Sequence, residues 1–199
     1  PTAQQVNQLV YIGQVLKESL RLWPTAPASG LYPYQNETIG GKYKLRKRTF
    51  VTVLTAMLHR DQSVWGPRAE VFDPENFAPD REAKMPPHAF KPFGNGQRAC
   101  IGRQFAMTEA TLVLGLILQR FRLIDHTRYQ LKIKESLTIK PEGLTMRVKL
   151  RPDVVRGPGV SVAARPAPKA VPKKAAKSHG TRLTVLFGSN MGTAEELAR

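Results

Sequence analysis

The chain has 199 residues, of which 41% are hydrophobic, and a formal net charge of +16. That hydrophobic share allows a sizeable globular core, and no run of about 18 apolar residues indicates a membrane span. Cys100 is the single cysteine, which excludes an internal disulfide and a multi-cysteine metal site and is typical of a reducing compartment. We therefore expect a cytoplasmic protein without a membrane role. Because the chain begins inside a helical pattern without an initiator Met, we also expect a fragment.

The excess of positive charge is concentrated toward the C-terminal end. Residues 154–194 contain Lys and Arg but no acidic residue. Neither a Cys/His finger nor an RNA-binding signature with stacking aromatics accompanies this charge. A solvated basic linker is therefore favoured over a nucleic-acid site, and we expect no nucleic-acid partner.

An amphipathic helix is predicted at the N-terminus, since apolar residues recur at helical spacing from Val6 to Leu20. It must end near Trp23, because Pro24 disfavours a helical residue before it. Two strand-like segments, 43–45 and 50–54, flank a basic turn and predict a β-hairpin. A second hairpin is predicted between 137–139 and 144–150, with its turn at 141–143.

The segment 93–102 surrounds Cys100 with glycines, which allow the backbone to turn tightly or approach a flat ligand. Apolar residues follow at helical spacing from Phe105 to Ile117, which places Cys100 at a helix N-terminus. Free N–H groups and the positive end of the helix dipole favour a thiolate there. A buried structural cysteine is the usual alternative, but it needs none of these glycines.

Three regions follow from the pattern: a domain at 1–150, a linker at 151–180 and the start of a second domain at 181–199. The linker is rich in Pro, Ala and Lys and cannot bury enough apolar surface to offset ordering entropy, so we expect it to be flexible. After it, the apolar strand candidate 183–187 runs into a glycine-containing loop and a helix start. Such a loop can cradle a phosphate with backbone N–H groups.

The segment around Cys100 resembles the haem-binding signature of cytochrome P450, Phe-Gly-x-Gly-x-Arg-x-Cys-x-Gly, at every defined position. The resemblance implies haem b, with Cys100 as the axial ligand of its iron. It further implies that Phe93, Gly94 and Gly102 surround the thiolate and that Arg98 binds a haem propionate.

The same resemblance implies the fold. Residues 1–150 would be the C-terminal half of the cytochrome P450 haem domain, which is mainly α-helical with small β-sheets. The earlier half of that domain, with its distal oxygen-activating residues, is absent from the chain.

Glu18 and Arg21 share a helix face at spacing i, i+3. Most such pairs are weak surface salt bridges. Beside the segment around Cys100, however, they resemble the family's Glu-x-x-Arg helix, which implies an internal anchor for the proximal side of the haem. Asn76 stands where the family's third partner is usually Arg, so we expect a hydrogen bond without charge and a weaker anchor.

Four more residues resemble positions near the haem. Ala26 and Ala28 lie in a segment similar to the one that crosses the substrate side, although a proline-rich turn explains them equally well. Leu137 resembles a substrate-pocket residue at a hairpin tip, with a plain core leucine as the alternative. His59 resembles a family position and is a candidate for contacting a haem propionate.

The C-terminal loop resembles the FMN-phosphate loop of flavodoxin-like α/β domains. It is formed by Ser189, Asn190, Met191, Gly192, Thr193 and Ala194. A P450 domain followed by a linker and this loop resembles the self-sufficient fusions of a P450 monooxygenase with a diflavin NADPH reductase, and within them the fatty-acid hydroxylases. This implies FMN, FAD and NADPH in the full-length protein, a fatty acid and O2 as substrates, the fused reductase as partner and a homodimer as an option.

Two other functions use the same cysteine. A peroxide-driven haem peroxygenase would need no reductase, and the flavin-like loop argues against it. A non-enzymatic haem-thiolate sensor would share the segment around Cys100 but not the electron chain.

Overall fold

The structure is a computed structural model that describes residues 2–152. Helices and four small sheets make up this part, which confirms the expected mainly α-helical fold with small β-sheets. The expected linker from residue 153 onward and the expected flavodoxin-like start at 181–199 lie outside the described residues.

Six α-helices occur in the described part, and the two long ones contact each other. Their bounds are Ala3–Asn7 (α1), Val10–Leu22 (α2), Thr55–Leu58 (α3), Gln62–Trp65 (α4), Pro79–Glu82 (α5) and Arg103–Arg120 (α6). Short 3₁₀ helices at Pro74–Phe77 and Gly96–Arg98 complete the set.

The N-terminal helical pattern forms two helices rather than the single helix that we expected. The chain leaves the helical hydrogen-bond pattern between α1 and α2, and Leu9 precedes α2 with φ −80° and ψ 54°. The expected end of the second helix is confirmed, since Trp23 follows α2 with φ −131° and donates its N–H to the Ser19 carbonyl. The cause is local: Pro24 excludes a helical conformation at the preceding residue.

All four sheets are two-stranded and antiparallel, and none joins another within residues 2–152. The strands are Ala28–Leu31 (β1), Glu37–Ile39 (β2), Tyr43–Leu45 (β3), Val51–Leu54 (β4), Phe121–Ile124 (β5), Ile133–Glu135 (β6), Ile139–Pro141 (β7) and Arg147–Leu150 (β8). The pairs are β1 with β4, β2 with β3, β5 with β8, and β6 with β7.

The predicted hairpin between 43–45 and 50–54 is wrong in its pairing. Strand β3 pairs with β2 instead, because Gly40 and Gly41 adopt φ of +59° and +69° and turn the chain back directly after Ile39. Strand β4 pairs with β1, with Ala28 opposite Leu54.

The predicted hairpin between 137–139 and 144–150 is wrong as well. Strand β7 pairs with β6 around a tight turn at 136–138, where the Ser136 N–H donates to the Thr138 carbonyl at 3.1 Å. Strand β8 returns to β5, with Phe121 opposite Leu150. This pairing joins segments that are distant in sequence, so the local pattern contains no signal for it.

The best-buried core lies where α2 packs against the 3₁₀ helix Pro74–Phe77. Phe77 is fully buried at its centre, with its ring centroid 5.8 Å from Trp65 and 4.7 Å from Phe90. Gln14 on α2 donates to the Phe77 carbonyl at 3.3 Å. This core fixes α2 relative to the chain that leads toward Cys100.

Within residues 2–152 we find no helix whose length and apolar content would let it cross a membrane. In the same range, His, Cys, Asp and Glu side chains form no cluster of three or more that could hold a metal ion.

Candidate functional site

Cys100 is exposed and lies on a closed loop between the 3₁₀ helix Gly96–Arg98 and α6. Its N–H donates to the Phe93 carbonyl at 2.8 Å, which closes the loop. Gly94 and Gly96 adopt φ of +72° and +64°, a backbone region in which a side chain is strained. The two glycines therefore allow the loop to present the thiol at its surface.

The thiol lies beside the start of α6. Gly102 precedes the helix and has no side chain with which to cap its N–H groups. A Cβ placed on Gly102 would stand 3.9 Å from the Cys100 Sγ. At the helix start, the Arg103 N–H donates to the Cys100 carbonyl at 3.3 Å, which fixes the cysteine against the first turn of α6.

A cavity of about 640 Å³ opens next to this loop. Its walls come from α2, from α6, from the β6–β7 hairpin and from Phe93. On α6 the wall is formed by Ala106, Met107 and Ala110, and the small alanines leave the space open. The predominantly apolar surface suits a flat apolar ligand.

Arg98 lies on the 3₁₀ helix before Cys100 with its side chain exposed. Its guanidinium makes no hydrogen bond or ion pair to any other residue of the 2–152 range. It is thus available to an anionic group. Together, the thiol, the apolar cavity and this cation fit a haem, which has a central metal, an apolar ring and anionic propionates.

Glu18 and Arg21 form an ion pair whose side chains are fully shielded from water. Both carboxylate oxygens accept from the guanidinium at 2.7 Å, from Nε and from Nη2. Such fork-to-fork geometry is the strongest that this pair of groups can form. The indole of Trp65 lies 4.8 Å from the guanidinium carbon of Arg21, within the range of a cation–π contact.

The remaining donors of Arg21 bind main-chain carbonyls. Nη1 donates to His59 at 2.8 Å and to Ala69 at 2.6 Å, and Nη2 donates to Val71 at 3.1 Å. All five N–H donors of the guanidinium are therefore satisfied. The pair consequently fixes the backbone of the segments that follow α3 and α4.

The structure brings Asn76 to the same pair. Its Nδ2 donates to Glu18 Oε1 at 3.3 Å, and the Asp73 N–H donates to that oxygen at 2.8 Å. The expected third partner is therefore in place without a charge, and a main-chain N–H makes the shorter bond.

His59 is fully buried and uses both ring nitrogens. Nδ1 lies 3.1 Å from the Arg21 carbonyl, and Nε2 accepts the Lys91 N–H at 2.8 Å. A carbonyl only accepts and an N–H only donates, so the ring is the neutral tautomer with its proton on Nδ1. The pKa of His59 is lowered from 6.5 to about 4, mainly by burial and in smaller part by the positive charges of Arg21 and Arg60, against opposing hydrogen bonds to main-chain carbonyls.

The structure corrects the expected haem contact of His59. A propionate would need a ring N–H, but the single N–H is committed to Arg21 and the other nitrogen is committed to Lys91. The ring is also covered by Phe90, with its centroid at 5.2 Å. His59 supports the backbone instead of presenting a polar group to a ligand.

The residues expected near a substrate are not themselves among those that line the cavity in the described part of the chain. Ala26 and Ala28 are exposed, and neighbouring Thr25 lines the cavity and accepts the Ile139 N–H at 3.0 Å. That bond joins the segment to the β6–β7 hairpin, whose tip carries Leu137. At 93% exposure, Leu137 is not a core leucine within this structure.

The expected FMN-phosphate residues 189–194 lie outside the described residues. Among the described ones, the main-chain partners were missed from sequence, namely the carbonyls of residues 59, 69 and 71 and the N–H groups of residues 73 and 91. No side-chain signal marks such groups, and they lie 38 to 55 residues from their partners on α2, or 32 residues from His59.

Comparison with known proteins agrees with this site. The cytochrome P450 family model matches residues 1–148. The bifunctional cytochrome P450/NADPH–P450 reductase 2 of Bacillus subtilis is 53% identical over 202 residues, which cover all of this chain and 19% of that protein. A self-sufficient cytochrome P450 monooxygenase of Aspergillus terreus is 42% identical, over 99% of this chain and 20% of that protein. The chain therefore spans about a fifth of the length of these relatives.

Removing one partner of the buried pair should destabilise the holoprotein strongly. Glu18→Gln leaves the Arg21 charge buried without a counter-charge, at a cost of about 3–5 kcal/mol in the free energy of unfolding. Denaturant unfolding and haem content measure this cost. The control is Glu82→Gln in the Lys17–Glu82 pair, whose side chains are 30% and 40% exposed and whose loss should cost under about 1 kcal/mol. Equal losses in the two variants would contradict the assignment.

Protonation of His59 should make the fold acid-sensitive. The His59 imidazole of the unfolded chain binds a proton below about pH 6.5, whereas in the folded protein the same ring binds it only near pH 4. Protonation of His59 therefore does not reduce the free energy of unfolding above pH 6.5. As the pH falls toward 4, it lowers that free energy by about 3 kcal/mol. Urea unfolding of wild type and His59→Gln across this range measures the difference, with exposed His126→Gln as the control for replacing a histidine. Parallel pH profiles for wild type and His59→Gln would contradict it.

Proposed function

Because this chain belongs to the cytochrome P450 family, we propose that it forms part of a haem-thiolate monooxygenase in which Cys100 is the axial ligand of the iron. The observation that carries this proposal is the exposed Cys100 thiol, held beside α6 on a loop whose Phe93 lines a large apolar cavity. When bound, the haem supplies the redox chemistry that activates O2, assisted by electron donation from the thiolate.

The residues of the chain hold and shield that group. The bond from the Cys100 N–H to the Phe93 carbonyl holds the thiol on its loop, and the Phe93 side chain covers the adjoining cavity wall. Arg98, whose guanidinium has no partner within residues 2–152, would bind a propionate. Gly102 keeps the space beside the sulfur free of a side chain, and Gly94 allows the loop its turn at a φ of +72°.

A fused reductase would supply the electrons. The Bacillus subtilis relative is named as a fusion with an NADPH–P450 reductase, which supports a route from NADPH through FAD and FMN to the haem. In this proposal the loop 189–194 binds the FMN phosphate. This support favours the monooxygenase over a peroxygenase or a sensor.

The substrate proposed is a fatty acid, with O2 as co-substrate. Apolar residues of α2 and of the β6–β7 hairpin line the cavity, which suits an alkyl chain. Ala26 and Ala28 follow Thr25, which lines the cavity, and their small side chains would leave room for the substrate, with Leu137 at the tip of the same hairpin. A cytoplasmic location suits the single free thiol.

Replacing the ligand should remove the thiolate signature. In the full-length haem protein, Cys100→Ala should abolish the long-wavelength band of the reduced carbon-monoxide complex that gives the family its name. The matched control is Gln97→Ala, which changes an exposed side chain of the same loop and should keep the band. Survival of the band in Cys100→Ala would refute the ligand assignment.

Electron delivery to the face around Cys100 should depend on salt. Arg103 is exposed there and would attract an acidic flavin domain, an interaction screened over about 8–10 Å at physiological ionic strength. FMN-to-haem transfer, followed by stopped flow, should therefore slow as salt rises.

The charge reversal Arg103→Glu should slow this transfer at low salt and flatten its salt dependence. Arg122→Glu makes the same change on β5, two residues beyond the other end of α6. The 18-residue helix is about 27 Å long, so this variant should leave the transfer rate unchanged. A transfer rate that is independent of salt would refute the docking proposal.

A further inference from the structure

His59 joins the buried ion pair to the segment that leads into Cys100. Arg21 and His59 are bonded twice, since Arg21 Nη1 donates to the His59 carbonyl at 2.8 Å and His59 Nδ1 donates to the Arg21 carbonyl at 3.1 Å. Each side chain thus holds the main chain of the other residue. The end of α2 and the segment after α3 are fixed in distance and in orientation.

The other ring nitrogen reaches toward the cysteine. Nε2 of His59 accepts the Lys91 N–H at 2.8 Å, the Lys91 carbonyl accepts the Gly94 N–H at 3.2 Å, and the Phe93 carbonyl accepts the Cys100 N–H at 2.8 Å. Three hydrogen bonds and the short chain between them therefore lead from the imidazole to the backbone of Cys100.

The ring cannot turn to make other contacts. Phe90 covers it with a centroid distance of 5.2 Å, and Phe90 in turn packs on buried Phe77 at 4.7 Å. The Lys91 N–H that Nε2 accepts is partly buried, and leaving such a donor without a partner costs free energy. If the acceptor at Nε2 is removed, the segment around Lys91 must therefore move to find another partner for this N–H.

We propose that His59 is a positioning residue for the thiolate, whose Nε2 acceptor sets the place of the Cys100 Sγ through Lys91. This inference rests on the proposed ligation of haem iron by Cys100. It assigns His59 no contact with haem or substrate. Its role is to connect the rigid Glu18–Arg21 pair to the loop of Cys100, so that the exposed cysteine keeps a fixed position.

Three variants separate the contributions of the ring. His59→Gln keeps an acceptor near the position of Nε2, His59→Asn keeps a donor near the position of Nδ1, and His59→Phe keeps only the packing against Phe90. In the full-length holoprotein, the readout is the ratio of the short-wavelength to the long-wavelength band of the reduced carbon-monoxide complex, at equal haem content. Denaturant unfolding of each variant is measured in parallel.

The Gln variant should keep the wild-type band ratio, whereas the ratio should rise about fivefold in the Asn and Phe variants, as expected for the loss of one net hydrogen bond. A purely structural role would lower the unfolding free energy of the variants without this split in the band ratio. The Phe variant retains the packing of the ring, so the comparison stands even if the smaller Asn side chain prevents folding.

Three results would overturn the inference, the first two by refuting the role of Nε2 and the third by refuting the ligation on which it rests. Equal band ratios in all the variants and wild type would show that Nε2 does not position the thiolate, and so would a Gln variant that shifts as far as Asn and Phe. Wild-type protein without any long-wavelength band would refute the proposed ligation itself, and the role of His59 with it. The two failures are therefore distinguishable in one set of spectra.

Discussion

The ion pair between Glu18 and Arg21 is the constraint on which the rest of the described structure depends. Removing two charges from water is favourable only when every proton and lone pair finds a partner. Here the guanidinium uses all five donors, and three of them bind main-chain carbonyls. Because these acceptors belong to the backbone, the pair holds segments of chain rather than single side chains. Any displacement of those segments would expose a buried charge without a partner.

The buried ion pair supports a reactive group, the Cys100 thiol, that must stay accessible. Cys100 is exposed and its loop needs left-handed backbone at Gly94 and Gly96, which are features of a mobile surface turn. A functional loop keeps its geometry when buried contacts support it from behind. The neutral ring of His59 provides that support without bringing another charge into the core. The buried ion pair and the exposed thiol are thus connected through the hydrogen bonds of His59.

The sequence predicts the parts that depend on neighbouring residues. Pro24 marks the end of α2 at Trp23, and the apolar spacing after Cys100 corresponds to α6. Strand β4 pairs with β1 and β8 with β5, and these partners are too distant in sequence for a local pattern to predict. The pairs β2–β3 and β6–β7 are local hairpins, but the prediction placed their turns one segment too late. The partners of Arg21 are main-chain carbonyls, which every residue type possesses. For the same reason the sequence around His59 could not show that both of its ring nitrogens bind main-chain groups.

Asn76 shows how charge balance limits such a core. The buried group contains one carboxylate, one guanidinium and a neutral imidazole, so its net charge is zero. An arginine at position 76 would bring a second cation to a carboxylate that already binds one, and its desolvation would need a further counter-charge. Asn76 adds only a donor at 3.3 Å, while the Asp73 N–H occupies the same oxygen at 2.8 Å. The main chain at Asp73 therefore makes the shorter bond to Glu18 and supplements the uncharged hydrogen bond that was expected from Asn76, and neutrality at position 76 leaves the pair balanced.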